Sequence, residues 1–209
     1  MVTVPEIEVV RVEAVHRARA VDAVTRAFLD DPMWSCVLPD REARATLLRP
    51  MWRALIDFAR VYGEALTTSE GQGAACWITP GKTKMSLWKM LRTGMALPRS
   101  MMRLPKEARG RFFGMMRVID TQHKARMPER HWYLLALGVA PEAQRQGIGR
   151  RLIAPILERA DAEGVPCYLE TQTDVNVAFY RKSGFDVIDE RREPACELPI
   201  WFLRRDPRS

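Results

Sequence analysis

An apolar run from Tyr133 to Val139 leads through a Pro141-Glu142 turn into Gln144-Arg145-Gln146-Gly147-Ile148-Gly149-Arg150-Arg151, and apolar residues then recur at Ile148, Leu152, Ile153, Ile156, Leu157 and Ala160. This succession reads as a strand, a tight loop and a helix. It constrains the fold more than any other stretch, because a strand apolar on both faces has to lie between other layers. The loop also has the makings of an anion site. Gly147 and Gly149 lack the Cβ atoms that would hold a ligand off the backbone, and the first turn of a helix offers unpaired N–H groups at the positive end of its dipole. Arg145, Arg150 and Arg151 add positive charge. Two glycines beside a helix start are also ordinary turn chemistry. No Gly-Lys-Ser/Thr follows, so the stretch is not a P-loop, and the third glycine and early position of a dinucleotide fingerprint are missing.

At 209 residues the chain suits one substantial core and is short for two ordinary domains with a linker, so residues 1–209 are expected to form a single domain. A hydrophobic share of 47% beside 28% charged residues excludes a disordered chain, and no apolar run reaches the length of a membrane span, so no membrane partner is expected. Met1 to Arg11 carries Glu6 and Glu8 and no apolar stretch ending in a small-residue cleavage site, which argues against a signal peptide and for a cytoplasmic protein. Cys36, Cys76, Cys167 and Cys196 lie far apart among apolar neighbours and read as buried reduced thiols. His16, His123 and His131 are equally scattered, so neither a disulfide framework nor a metal site is expected.

Ile7 to Val12 reads as a first strand, and a helical face at Val15, Ala18, Val21, Val24, Ala27 and Phe28 is closed by Asp31-Pro32. A second helix from about Arg41 to Arg60 buries Leu47, Leu48, Met51, Leu55, Ile56 and Ala59. Strands at Ala65–Thr68 and Ala74–Thr79 flank Gly71-Gln72-Gly73. His131–Val139 is a central strand with a bulge signal at Gly138, and the helix after the loop runs to about Gly164, bent at Pro155. Pro166–Thr171, a short helix at Val175–Ser183, and strands at Phe185–Glu190 and Glu197–Phe202 follow. The order predicts an α/β chain with a mixed sheet and helices on both faces.

Between Lys82 and Arg130, thirteen Lys and Arg stand against three Asp and Glu, a net +10 that leaves −3 for the rest of a chain whose formal charge is +7. Met85, Leu87, Trp88, Met90, Leu91, Met95 and Leu97, then Phe112, Phe113, Met115, Met116, Val118 and Ile119, predict two or more amphipathic helices broken at Pro98 and Pro105. This basic helical segment reads as a solvated face over core, as a Met-rich wall of a substrate cleft, or as a membrane-surface helix. Nucleic acid is not an expected partner, because the basic residues interleave with Met and Leu instead of forming a continuous stripe.

Gln144-x-x-Gly147-x-Gly149 matches the Gln/Arg-x-x-Gly-x-Gly/Ala signature of the GCN5-related N-acetyltransferases (GNAT), and Asn176-Val177-Ala178-Phe179-Tyr180 with Gly184-Phe185 continues the likeness. Residues 131–190 thus resemble that family's acetyl-CoA-binding core. His131-Trp132-Tyr133-Leu134 followed by Leu137-Gly138-Val139-Ala140-Pro141 is similar to a bacterial branch of puromycin-acetyltransferase-like proteins. The first half agrees in its order of elements, and residues 82–130 fall where relatives vary most, between the third and fourth strands. The resemblance implies a mostly antiparallel sheet of about six or seven strands, splayed between strands 4 and 5. It implies acetyl-CoA as co-substrate and no metal.

Carried onto this chain, the resemblance implies that the fourth strand bulges near Gly138 and that backbone groups at Leu137, Gly138 and Val139 meet the pantetheine arm, an N–H there facing the thioester oxygen. Gln144, Arg145, Gln146, Gly147, Ile148 and Gly149, with Arg150, would hold the pyrophosphate. Many relatives have Gly where this chain has Arg145, which then has to avoid a positive φ. Asn176 would hydrogen-bond the pantetheine or serve the start of a helix, and Tyr180 would protonate the leaving thiolate or pack beside Phe179 and Phe185. Glu170 is the candidate to take the amine's proton, directly or through water, with a structural acceptor as its other reading and His131 as runner-up base. The implied activity is direct acetyl transfer to a primary amine of a small molecule such as an antibiotic or other xenobiotic. A non-catalytic acyl-CoA-binding module and a protein or peptide N-acetyltransferase stand as alternatives, and a homodimer is left open.

Overall fold

The computed structural model describes residues 7–83, 87–93, 95–128 and 130–208, so the expectations for Met1–Glu6 and for Met85 lie outside the described residues. The elements are β1 (Val9–Arg11), α1 (Ala14–Ala27), α2 (Pro32–Val37), α3 (Arg41–Tyr62), β2 (Gly63–Thr68), β3 (Gly73–Ile78), α4 (Leu87–Arg92), α5 (Ala96–Met102) and α6 (Lys106–Arg126), then β4 (Trp132–Val139), a 3-10 turn (Pro141–Ala143), α7 (Ile148–Glu163), β5 (Cys167–Thr171), α8 (Asp174–Lys182), β6 (Asp186–Arg192) and β7 (Pro199–Arg205). Caps explain several boundaries. The Asp31 carboxylate accepts from the Trp34 N–H and the Asp40 carboxylate from those of Glu42 and Ala43, which starts α2 and α3. Asp31-Pro32 therefore both closes one helix and opens another, since Pro suits the first helical position. Pro98 does not break a helix as expected. It lies in the first turn of α5, where its missing N–H costs no bond, and the interruption comes earlier, where Met95 takes a φ of 55°.

The seven strands form one sheet in the order β1-β2-β3-β4-β5-β7-β6. Every neighbouring pair is antiparallel except β4 and β5, which run parallel and match only at Trp132↔Cys167 and Tyr133↔Tyr168. β4 continues to Val139 in register with β3, so from Leu134 onward its other edge has no strand partner among the described residues. The sheet is splayed there.

The bulge lies at Leu135 and not at Gly138. Trp77 pairs with Leu134 and Cys76 with Ala136, which leaves Leu135 as the extra residue. Trp132 and Leu134 pack toward α7, whereas beyond the bulge Leu137 and Val139 do so and Ala136 joins the core under α1, α3 and α6. Gly138 has a different reason to be glycine. A Cβ there would sit 3.0 Å from Phe28 Cε2 and 3.2 Å from Ala27 Cβ, so a bare backbone lets the end of α1 close on the strand.

Two main cores result. Val21, Val24, Trp34, Trp52, Met115 and Ile119 pack with Ala136, Tyr168 and Phe202 on one face. Ile148, Leu152, Ile153, Ile156 and Tyr180 pack with Trp77, Trp132, Leu134 and Leu169 on the other. Burying such side chains contributes about 1.5–3 kcal/mol each. The cysteines depart from expectation at two of their positions. Cys76 and Cys167 are free and buried, and burial pushes each thiol up to about 12. Cys36 and Cys196 instead form a disulfide, their Cα atoms 5.9 Å apart, which joins α2 to the β6–β7 connection across 160 residues of sequence. Residues so far apart carry no spacing signal. Among the described residues, no helix is long and apolar enough to cross a membrane.

Candidate active site

The loop that precedes α7 is shaped by two left-handed residues, Arg145 at φ 62° and Gly147 at φ 79°. The first corrects the expectation that an arginine at this position keeps a negative φ; the turn is tight enough to impose the conformation, at a cost of about 1–2 kcal/mol. Gly147 is the residue before the first turn of α7, and a Cβ on it would meet nothing within 4 Å, so open space lies in front of the loop. None of the backbone N–H groups from Arg145 to Arg150 donates to another described residue, and Arg151 makes the first bond of the helix, to the Gly147 carbonyl. Gln144, Arg145, Gln146 and Arg150 are exposed around them. Six free donors at a helix start make a cradle for an anion. Two residues turn their side chains inward to build the loop: the Gln144 amide donates to the Val139 carbonyl at 3.0 Å and the Gln146 amide to the Glu142 carbonyl at 3.3 Å. Ile148 is buried beneath it.

The open edge of β4 runs from this loop toward the sheet's interior. Leu137 and Val139 flank it on the α7 side, and Gly149 lets α7 approach the Phe179 ring, 3.4 Å from where a Cβ would stand. Asn176, in the first turn of α8, donates from Nδ2 to the Thr171 hydroxyl at 3.0 Å, while its backbone N–H is capped by Thr173 Oγ1. Its side chain thereby ties α8 to the end of β5. Tyr180 is 7% exposed, between Phe179 and Phe185 with ring centroids 5.0 and 5.7 Å away, and its hydroxyl bonds no described residue. Burial raises this phenol above its ordinary value.

Glu170 lies two residues past the last β4–β5 pair, so it borders the gap from the other core. The Tyr133 hydroxyl donates to Glu170 Oε2 at 2.9 Å. Glu170 Oε1 and the Tyr168 hydroxyl are closed off from solvent with no hydrogen-bond partner among the described residues. Burial pushes the Glu170 carboxyl up to about 7, against the opposing effect of the Tyr133 and Tyr168 phenols. Tyr168 lies on the same strand face as Glu170 by the period of two, a signal the sequence carries, whereas Tyr133 becomes a partner only through the strand pairing. Both ring nitrogens of His131 are turned to protein partners and away from an incoming amine. Its Nδ1 donates to the Pro128 carbonyl at 2.6 Å, and its Nε2 is 2.6 Å from Nε2 of His123, which α6 supplies and no motif points to. Among the described residues, no group of three or more His, Cys, Asp or Glu could hold a metal ion.

The arrangement offers an anion cradle, an open strand edge, a buried carboxyl of raised pKa and a buried phenol. Residues 74–185 match the Acetyltransferase (GNAT) family. An N-acetyltransferase of Schizosaccharomyces pombe, itself uncharacterised, is 31% identical over 181 residues, 84% of this chain and 72% of its own. Among solved structures, one described as histone acetyltransferase HPA2 and related acetyltransferase from Corynebacterium glutamicum superposes with a TM-score of 0.66 at 19% identity, over 97% of each chain. The PaiA N-acetyltransferase of Thermoplasma acidophilum, solved in complex with coenzyme A, has a TM-score of 0.56 at 13% identity, over 96% of this chain and 99% of that one. The two structures speak for the fold, and the family match over more than half of the chain, with the Schizosaccharomyces relative, speaks for descent. The chain belongs to the GNAT family of acetyltransferases.

Proposed function

We propose that this chain transfers the acetyl group of acetyl-CoA directly to the primary amine of a small molecule. The observation that carries the reading is the placement of Glu170 and Tyr180 in opposite cores, on the two sides of the unpaired β4 edge. Acetyl-CoA supplies an activated thioester when bound. The free N–H groups from Arg145 to Arg150, with the Arg150 side chain, hold its pyrophosphate, and the backbone of Leu137, Gly138 and Val139 takes the pantetheine arm as a missing strand would be taken. An N–H on this edge stabilises charge building on the carbonyl oxygen. Glu170, ionised, accepts the proton of the attacking amine, whose approach gives the unpaired Oε1 a partner. Tyr180 stays protonated across the neutral range and gives its proton to the departing thiolate. Asn176 fixes α8, and so Tyr180, against β5.

Residues 1–209 act as one acetyltransferase domain in this reading, and α6, packed on the core through Phe112, Met115, Met116 and Ile119, closes the acceptor side. A closed wall suits a small amine better than an extended peptide. The test is release of coenzyme A thiol from acetyl-CoA over a panel of small amines and short lysine peptides. Turnover with amines is expected; turnover with peptides alone overturns the acceptor class, and tight coenzyme A binding without release by any member overturns catalysis in favour of a binding module. Glu170→Gln should lower kcat/KM by about 10²–10⁴-fold. In the wild type kcat/KM should rise as pH passes through about 7, where the Glu170 carboxylate forms. The sign for stability is the reverse. The fold favours the neutral carboxyl, so this group's contribution is complete below the ordinary value of 4.5 and is lost as pH rises through about 7.

A further inference from the structure

We propose that His123, pinned by His131, is a positioning residue for the base: it clamps the Tyr133 and Tyr168 rings so that the Tyr133 hydroxyl stays on Glu170. The inference rests on the reading of Glu170 as the base. The tautomers follow from the partners. The Pro128 carbonyl can only accept, so His131 Nδ1 carries the hydrogen, and the neutral ring then presents a lone pair at Nε2. His123 Nε2 must therefore carry a hydrogen and donate it across the 2.6 Å contact. So oriented, the His123 ring stacks on Tyr168 with centroids 4.6 Å apart and planes 20° apart, and meets Tyr133 at 4.5 Å. His131 is 2% exposed and braces the pair from behind.

The helix does not need this contact to dock. Met115 and Ile119 already bury α6 in the core, and the Arg126–Asp189 ion pair at 2.9 Å holds its last turn. What the imidazoles touch instead is the pair of phenols that face the carboxyl. On their far side a cleft of about 330 Å³, lined by Gly81, Thr83, Asp120, Lys124 and Met127, gives the rings no packed wall among the described residues. The His–His hydrogen bond is therefore what keeps His123 flat against Tyr168. Tyr133 donates to the carboxylate and so favours the ionised form; losing its hydrogen bond would move the carboxyl further upward. The other charged groups that face the cluster are Asp120 and Lys124 on α6, Arg204 on β7 and Asp189 on β6. They remain in every variant named below, so a displaced pH profile reports the clamp.

The experiment is the pH profile of kcat/KM for the amine in H123A, H123F, Y133F, the H123A/Y133F double variant and E170Q, with unfolding midpoints measured in parallel. Loss of the limb near neutrality in E170Q assigns that limb to Glu170. H123A should then shift the limb upward by about one pH unit, about a tenfold loss at the acid end, with KM for acetyl-CoA unchanged. H123F, which restores a ring over Tyr168 but cannot donate to His131, should recover only part of the shift, and H123A should add nothing in the Y133F background. An unmoved limb in H123A, or an equal further shift in the Y133F background, overturns the clamp alone. A limb that persists in E170Q overturns the base reading and the clamp with it. Should H123A fold poorly, H123F decides: a limb that H123F leaves unmoved also overturns it.

Discussion

On the α7–α8 face the groups aimed at the gap are mostly backbone: free N–H donors from Arg145 to Arg150 and the unpaired edge of β4. On the α6 face they are side chains, Glu170, Tyr133, Tyr168 and His123, brought together from three elements. A backbone site depends on φ angles and a helix start, which neighbouring residues set by themselves. A side-chain site depends on packing, so distant ties such as Cys36–Cys196 bear on it. The first kind suits a ligand shared by many proteins, the second a ligand that differs between them.

Breaking the tie on the second face should have the largest effect. Cys36→Ser, or reduction, opens a link spanning 160 residues and should lower stability by about 4 kcal/mol, read as an unfolding midpoint with and without reductant. KM for the amine should rise while coenzyme A affinity holds. Gly138→Val comes next, because its side chain would enter the space of Phe28 and Ala27; a loss of about 1–3 kcal/mol in denaturant unfolding is expected. Gly147→Val tests the first face. The space around it is open but φ is 79°, so about 1–2 kcal/mol of strain should appear as coenzyme A binding weakened about tenfold by calorimetry, with the pH profile unmoved. Equal changes in coenzyme A affinity from Cys36→Ser and Gly147→Val would erase the distinction between the faces. The smallest effect belongs to Arg145→Gly, which relieves a positive φ but loosens the unfolded chain and removes a charge; stability should change by less than about 1 kcal/mol and coenzyme A affinity should fall a few-fold.

Much of the first face was legible in the sequence because its signals are contiguous. Tyr133–Val139, the turn, the glycines and the period of α7 announce strand, loop and helix in order, and the likeness to an acetyltransferase core rested on the same residues. Arg145 was misjudged because turn tightness, not residue preference, decides its φ. The second face was largely hidden. Glu170 stood out as a carboxyl late in a strand, but its Tyr133 partner is 37 residues away and His123 sits in a helix that looked merely basic and Met-rich. The disulfide was invisible for the same reason, and Pro98 misled because a proline near a helix start and one inside a helix look alike before the boundary is known.

The extra residue at Leu135 sets the parity of everything downstream on β4. Were Leu135 drawn into regular pairing instead of bulging, plain alternation through it would exchange the two sides of the strand end. Leu137 would be driven against α1, Gly138 would leave a hole beneath α7, and the open edge would turn its amides through half a revolution. The bulge in this strand thus keeps the two halves of the site facing the same gap.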